Sequence, residues 1–68
     1  MEIVFNGKPV RVAAGTLEEL LRELEVATER VAVERNRELV PRRQWAATAL
    51  AAGDRIEVVQ MVGGGAES

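Results

Sequence analysis

The chain has 68 residues, of which 47% are hydrophobic and 29% are charged, with a formal net charge of -2 at pH 7. A chain of this length buries only about 60% of its unfolded surface, so it can form one domain and has few residues for the walls of a deep catalytic cleft. Its 9 basic residues are scattered among 11 acidic ones, which leaves no basic stripe for phosphates and disfavours nucleic-acid binding.

The first two strands are predicted to form a β-hairpin. Met1, Ile3 and Phe5 alternate with a second set of residues, which predicts a half-buried strand whose first set faces inward. Asn6-Gly7 is the dipeptide best suited to a tight hairpin turn, and residues 9–12 alternate again as the returning strand.

One helix is predicted after a break at residues 13–15. Thr16, followed three residues later by Glu19, has the spacing of a capping box, in which both side chains accept hydrogen bonds from free amides at a helix start. Four leucines then recur at helical spacing and form one apolar stripe, while the charged residues between them face water. The stripe comprises Leu17, Leu20, Leu21 and Leu24.

The next segments are predicted to be short strands and a connection. Residues 31–35 form a third strand, and Leu39-Val40 forms a fourth that Pro41 confines to an edge or an end. Residues 42–52 are expected to make an irregular or briefly helical connection anchored by a buried Trp45.

A last strand is predicted over residues 55–61, after a turn at Gly53-Asp54. This order of elements indicates an α+β protein with a β-grasp (ubiquitin-like) fold. We expect a mixed sheet of four to five strands, with its first and last strands parallel at the centre and one main helix packed on one face. The β-grasp domain would cover residues 1–62, and residues 63–68 would form a flexible tail.

The tail contains three consecutive glycines, Gly63-Gly64-Gly65, directly after the predicted last strand. A carboxylate becomes reactive when it is joined to the α-phosphate of ATP as an acyl-adenylate, and that reaction takes place in the ATP site of another protein. Glycine leaves a narrow channel unobstructed, and residues 62–65 extend to about 13 Å at roughly 3.3 Å per residue. We therefore expect Val62, Gly63 and Gly64 to enter the active site of a partner.

Cysteine and histidine are both absent. Their absence excludes disulfides, thiolate and imidazole metal ligands, a cysteine nucleophile and the usual general base. No apolar run approaches the roughly 20 residues of a membrane span, and the N-terminus does not read as a signal sequence. We expect a cytoplasmic protein without catalytic residues, a metal site or a membrane partner.

Several short segments are spread over residues 1–65: MEIVFNG at 1–7, AGTL at 14–17 before ELL at 19–21, VERN at 33–36, VPR at 40–42 with Trp45, GDRIEVV at 53–59 and the terminal glycines. Together these segments resemble the ThiS family, the sulfur carriers of thiamine biosynthesis. The Val-Pro-Arg and tryptophan combination is the more specific of them, because related molybdopterin-synthase small subunits share the fold and the Gly-Gly end but are usually longer there.

The resemblance implies a protein co-substrate rather than an enzyme. An E1-like enzyme, ThiF, would adenylate the terminal glycine with ATP, and sulfur from a persulfide donor would replace AMP to leave a thiocarboxylate. The thiazole synthase ThiG would then receive the sulfur. Gly64-Gly65 matches the terminal Gly-Gly of the family, so Gly65 would hold the thiocarboxylate, and the carrier itself would bind no cofactor.

The sequence departs from the family pattern by continuing with Ala66-Glu67-Ser68, whereas the common form ends at the second glycine. One hypothesis is that a peptidase removes these three residues as a propeptide. A cloning remnant and a carrier that has lost this activity are the alternatives.

The predicted sheet face away from the helix offers a docking surface. Val4, Val59 and Met61 are expected to lie next to each other there on neighbouring central strands, and exposed apolar clusters often mark partner surfaces.

Other functions remain open from the sequence. The sulfur could serve molybdopterin, a thiolated metabolite or tRNA, or the chain could be a ubiquitin-like protein modifier. A TGS-like β-grasp binding module needs a basic face and no glycine tail, which is the reverse of this sequence. Catalysis by Glu18, Glu19 and Glu23 is disfavoured, since these residues lie on the polar face of the predicted helix.

Overall fold

A five-stranded mixed sheet and one α-helix make up the computed structural model, which describes residues 1–61. The strand order is β2-β1-β5-β3-β4, with β1 and β5 parallel at the centre and the other neighbours antiparallel. This topology confirms the predicted β-grasp fold. The strands are β1 (Glu2–Phe5), β2 (Lys8–Arg11), β3 (Val31–Arg35), β4 (Glu38–Leu39) and β5 (Arg55–Gln60), the helix is α1 (Leu17–Glu23), and a 3₁₀ helix spans Arg42–Ala47.

The β1–β2 hairpin turns at Asn6 and Gly7, with φ of 48° and 85°. Both angles lie in the left-handed region that a tight hairpin turn requires, as the Asn-Gly dipeptide predicts. Ile3 is fully buried and Phe5 packs on the core. The prediction that Met1 faces inward is wrong, since it is 39% exposed. It precedes β1, and its backbone is held by hydrogen bonds with Val12.

The helix begins as the capping box predicts. The Thr16 hydroxyl accepts a hydrogen bond from the Glu19 N–H at 3.2 Å, and the Glu19 carboxylate accepts one from the Gly15 N–H at 2.9 Å. The leucines at positions 17, 20 and 21 are buried, and burial of each such side chain contributes about 1.5–3 kcal/mol. At 7 residues α1 is short, and within residues 1–61 no helix is long and apolar enough to cross a membrane.

Glu23 has a structural contact that the sequence did not predict. It is exposed, as expected for the polar face of the helix, but its carboxylate accepts hydrogen bonds from the N–H groups of Ala13 and Ala14 at 3.1 and 2.9 Å. Glu23 therefore fastens the segment between β2 and α1.

Trp45 anchors the connection between β4 and β5, as predicted. It is buried, and its indole N–H donates to the Val40 carbonyl at 2.9 Å. The Arg42 guanidinium lies over the ring, 4.6 Å from its centroid. These contacts connect Val40 and Arg42 of the Val-Pro-Arg motif with Trp45. The edge strand itself is Glu38–Leu39, and Val40 lies just beyond it.

Candidate functional site

The end of β5 carries the chain toward its glycine run. The Met61 N–H donates to the Arg30 carbonyl at 2.7 Å, so the backbone stays bonded to the start of β3 up to Met61. In the sequence, Gly63 follows two residues later. The predicted tail residues Val62, Gly63, Gly64 and Gly65, and the possible propeptide Ala66-Glu67-Ser68, lie outside the described residues.

Two asparagine side chains hold β5 from opposite sides. The Asn6 Oδ1 accepts a hydrogen bond from the Val58 N–H at 2.8 Å, where β1 has already ended. The Asn36 Oδ1 accepts one from the Arg55 N–H at 2.9 Å, and the Asn36 N–H donates to the Arg55 carbonyl at 2.7 Å. The strand that leads to the glycines is thus bonded by side chains as well as by the sheet.

Asp54 supports the start of β5 from within the fold. It is only 8% exposed, and it accepts hydrogen bonds from the Ala51 N–H at 2.9 Å and the Asn36 side-chain amide at 3.1 Å. The Arg35 guanidinium lies 3.5 Å from its carboxylate. Burial raises the pKa of Asp54, but the two hydrogen bonds and the nearby arginine outweigh burial and hold that pKa below its ordinary value of 3.8.

Three large apolar side chains are exposed on the sheet face opposite α1, two of them at the end of β5 and one on the edge strand β4. Val59 is 52% exposed, Met61 53% and Leu39 64%. Val59 alternates with the core-packed Val58, and Leu39 pairs with Glu34, one residue after the buried Val33. We call Leu39, Val59 and Met61 the open-face patch.

The structure corrects one part of the predicted docking face. Val4 is on the same face, but it pairs with Arg55, four positions before Val59 on β5. At about 3.3 Å per residue, Val4 lies roughly 13 Å along the strand from Val59 and is not its neighbour. Alternation along β1 and β5 predicts correctly which face of the sheet each side chain is on, but it does not predict which residues of the two strands lie opposite each other. Leu39, on the edge strand, belongs to this exposed surface because it lines one apolar groove together with Met61, and its exposure follows from its pairing on the two-residue strand β4.

The open-face patch borders an apolar groove of about 200 Å³ beyond the edge of β3, lined in part by Leu39, Pro41 and Met61. A cavity of about 310 Å³ lies on the helix side and includes Glu18, Arg22 and Arg42. Among residues 1–61 no three His, Cys, Asp or Glu side chains are grouped to hold a metal ion. The groove is lined by Met61, which precedes Gly63 by two residues in the sequence, whereas the cavity is not.

Comparison with known proteins gives the chain relatives over nearly its whole length. A model of the ThiS family matches residues 3–65. The sulfur carrier protein ThiS of Escherichia coli (strain K12) is 39% identical over 66 residues, which cover 96% of this chain and 100% of that protein. A crystal structure of thiamine biosynthesis protein ThiS from Geobacter metallireducens has a TM-score of 0.85 at 38% identity, covering 94% of this chain and 99% of the other.

Two thiazole synthases also match. The protein from Paramagnetospirillum magneticum is 44% identical over 68 residues, which cover 98% of this chain, and the one from Magnetococcus marinus is 50% identical over 66 residues, which cover 96%. The chain spans only 21% and 20% of the lengths of these two relatives. A segment similar to this chain therefore occurs inside longer polypeptides named thiazole synthase.

Proposed function

The chain belongs to the ThiS family, and on this basis we propose that it carries sulfur for thiamine biosynthesis as a protein co-substrate. The observation that carries the proposal is the family match over residues 3–65, which reaches Gly65 at the end of the glycine run. The described fold supports it, since β5 ends at Gln60, three residues before Gly63 in the sequence, and α1 packs on the other side of the sheet from the open-face patch.

In the proposed reaction the Gly65 carboxylate attacks the α-phosphate of ATP in an E1-like enzyme of the ThiF type, releasing pyrophosphate and forming an acyl-adenylate. A persulfide sulfur then attacks the acyl carbon, AMP leaves, and an acyl disulfide forms. A second thiol attacks the donor's sulfur atom of that disulfide, which leaves a thiocarboxylate on Gly65 and a disulfide on the donor side. No side chain of this chain reacts in these steps, and ATP is bound by the partner.

We propose a thiazole synthase of the ThiG type as the acceptor of the sulfur. Two relatives with the name thiazole synthase contain a segment similar to this chain, and this favours thiazole over the other acceptors that share the carrier chemistry. A carrier and an acceptor within one polypeptide meet at high effective concentration.

Residues Ala66-Glu67-Ser68 follow Gly65 in the sequence and would block adenylation at its carboxylate. We propose that a peptidase removes them. Intact mass of the protein from its native cells checks this step, and a pool that consists only of chains ending at Ser68 would refute it.

The proposed function is tested by intact mass after incubation with ATP, the cognate E1-like enzyme and a sulfide source. The chain ending at Gly65 should gain the mass difference of sulfur replacing one oxygen, and the chain ending at Ser68 should not. If neither chain gains mass, the carrier function is wrong and a β-grasp binding module becomes the better interpretation.

We propose that the open-face patch docks the adenylating enzyme, as the sequence predicted for Val59 and Met61. Met61→Asp adds a charge to this apolar surface and should weaken binding at least tenfold, which corresponds to about 1.4 kcal/mol. Ala46→Asp adds the same group to an exposed position on the 3₁₀ helix and should leave binding unchanged. Equal affinities for the two variants in titration calorimetry would contradict the docking face.

A further inference from the structure

Two glutamates stand directly opposite each other on the open face of the sheet. Glu34 on β3 and Glu57 on β5 are register partners in the antiparallel pairing. Glu57 alternates with the core-packed Ile56 and Val58, which places its side chain on the face away from α1. Like charges at opposite positions of a strand pair destabilise a sheet.

Neither glutamate is neutralised by the chain itself. Among residues 1–61 the ion pair found joins Arg35 to Asp54, and residues 62–68 contain no lysine or arginine. Arg55 precedes Glu57 by two positions on the same face, yet it lies beyond ion-pair distance of either glutamate. Both glutamates are half-buried, and among residues 1–61 neither carboxylate forms an ion pair.

The glutamate pair lies within the surface that docking would cover. Leu39 is the register partner of Glu34, and Val59 follows Glu57 by two positions on the same face. When a partner covers these apolar side chains, it also removes the adjacent carboxylates from water. Removing two like charges from water is costly unless an opposite charge is supplied within the same interface.

We infer that the surface of the adenylating enzyme that meets the open-face patch places an arginine between Glu34 and Glu57; this inference rests on the proposed function. Opposed side chains in a strand pair have Cβ atoms about 4.5–5.5 Å apart, so one planar guanidinium can donate to both carboxylates. Charge-assisted hydrogen bonds of this kind fix orientation as well as affinity. The glutamate pair would therefore set the direction in which β5 approaches the enzyme.

The test uses Glu34→Gln, Glu57→Gln and the double variant, with Glu18→Gln as a control. Glu18 is exposed on α1, on the opposite side of the sheet, and its substitution changes the net charge by the same amount as each single variant. The dissociation constant for the cognate E1-like enzyme is measured by calorimetry at low and high salt, and urea unfolding is measured in parallel. The double variant should bind at least tenfold more weakly, with a smaller salt dependence, and should unfold at a urea concentration no lower than the parent chain.

Unchanged affinity of the double variant would overturn the inference, and so would equal weakening by Glu18→Gln. Weaker binding accompanied by easier unfolding would also overturn it, because removal of the like-charge pair should not destabilise the sheet. Failure of the proposed function is visible separately, as the absence of a thiocarboxylate on the unsubstituted chain ending at Gly65. If the parent chain is thiolated and the double variant binds as tightly as the parent, the arginine contact is refuted and the proposed carrier function is not.

Discussion

Each of the two hairpin turns of the sheet places two consecutive residues at positive φ, but the two turns differ in sequence. The β1–β2 turn uses Asn6 and Gly7, with φ of 48° and 85°, and the β3–β4 turn uses Asn36 and Arg37, with φ of 53° and 71°. The two hairpins flank the central β5, and each asparagine side chain accepts a hydrogen bond from a β5 backbone N–H.

The difference lies in what maintains each turn. Glycine adopts positive φ without steric cost, so the first turn is favoured by its own sequence. Arginine does not, and the second turn depends on tertiary contacts, since Asn36 also donates to the buried Asp54. An asparagine in a turn can therefore stabilise the neighbouring strand that its side chain reaches as well as the turn itself.

Replacing Asp54, whose carboxylate accepts a hydrogen bond from Asn36 in the second turn, should have the largest effect on the free energy of unfolding. Asp54→Ala removes the acceptor of two hydrogen bonds and the partner of Arg35. Because hydrogen bonds to charged groups contribute about 1.5–3 kcal/mol, we expect the free energy of unfolding to fall by about 3 kcal/mol in urea denaturation. Glu29→Ala at an exposed loop position is the control and should change it by less than about 0.5 kcal/mol.

The same carboxylate makes the second turn sensitive to acid. The folded pKa of Asp54 is lowered below its ordinary value of 3.8, so its contribution to stability is fully present at pH values well above 3.8 and is lost as the pH falls through the folded pKa. The gap in unfolding free energy between the parent chain and Asp54→Ala should therefore shrink below about pH 4. A gap that stays constant down to the lowest pH at which both chains fold would show that the charge of Asp54 does not stabilise the turn.

Replacing each asparagine by glycine separates its side chain from its backbone conformation. Asn36→Gly loses two side-chain hydrogen bonds and should destabilise by about 2 kcal/mol, whereas Asn6→Gly loses one and should destabilise by about 1 kcal/mol. Hydrogen exchange gives the matched local signal. The amide of Arg55 should exchange faster only in the first variant and that of Val58 only in the second, and the opposite pattern would contradict the two assignments.

Substituting the second residue of each turn should have the smallest effect on the free energy of unfolding. Arg37→Gly relieves a left-handed arginine and should raise the free energy of unfolding by up to about 1 kcal/mol. Gly7→Ala should lower it by about the same amount through strain alone, since no atom lies within 4 Å of a Cβ added there. A neutral result for both would mean that the backbone of these turns relaxes freely.

The sequence predicts the elements of this fold well because their signals are local. The bounds of β3, the capped start of α1 and the Asn-Gly turn follow from periodicity and turn chemistry within a few residues. The prediction of Val4 beside Val59 failed because alternation along a strand determines its face, whereas the register of β1 on β5 is set by contacts distant in sequence.

The candidate site is predicted from the sequence to different degrees. Val59 and Met61 could be assigned to the open face from alternation along the last strand, and both are exposed there. Leu39 and the Glu34–Glu57 pair could not be found in this way, since each depends on which residues of two strands are opposite. The roles of Gly65 and of the residues after it remain predictions.

The central place of β5 has a consequence for how the chain folds. The β1–β2 and β3–β4 hairpins have no pairing with each other and are joined through β5, which follows both in sequence. Its parallel pairing with β1 closes a loop of about 50 residues, and contacts of such long range slow folding relative to local hairpins. During synthesis, the sheet can be completed only after β5 has left the ribosome. The glycine run begins three residues after the end of β5, so it is among the next residues to emerge.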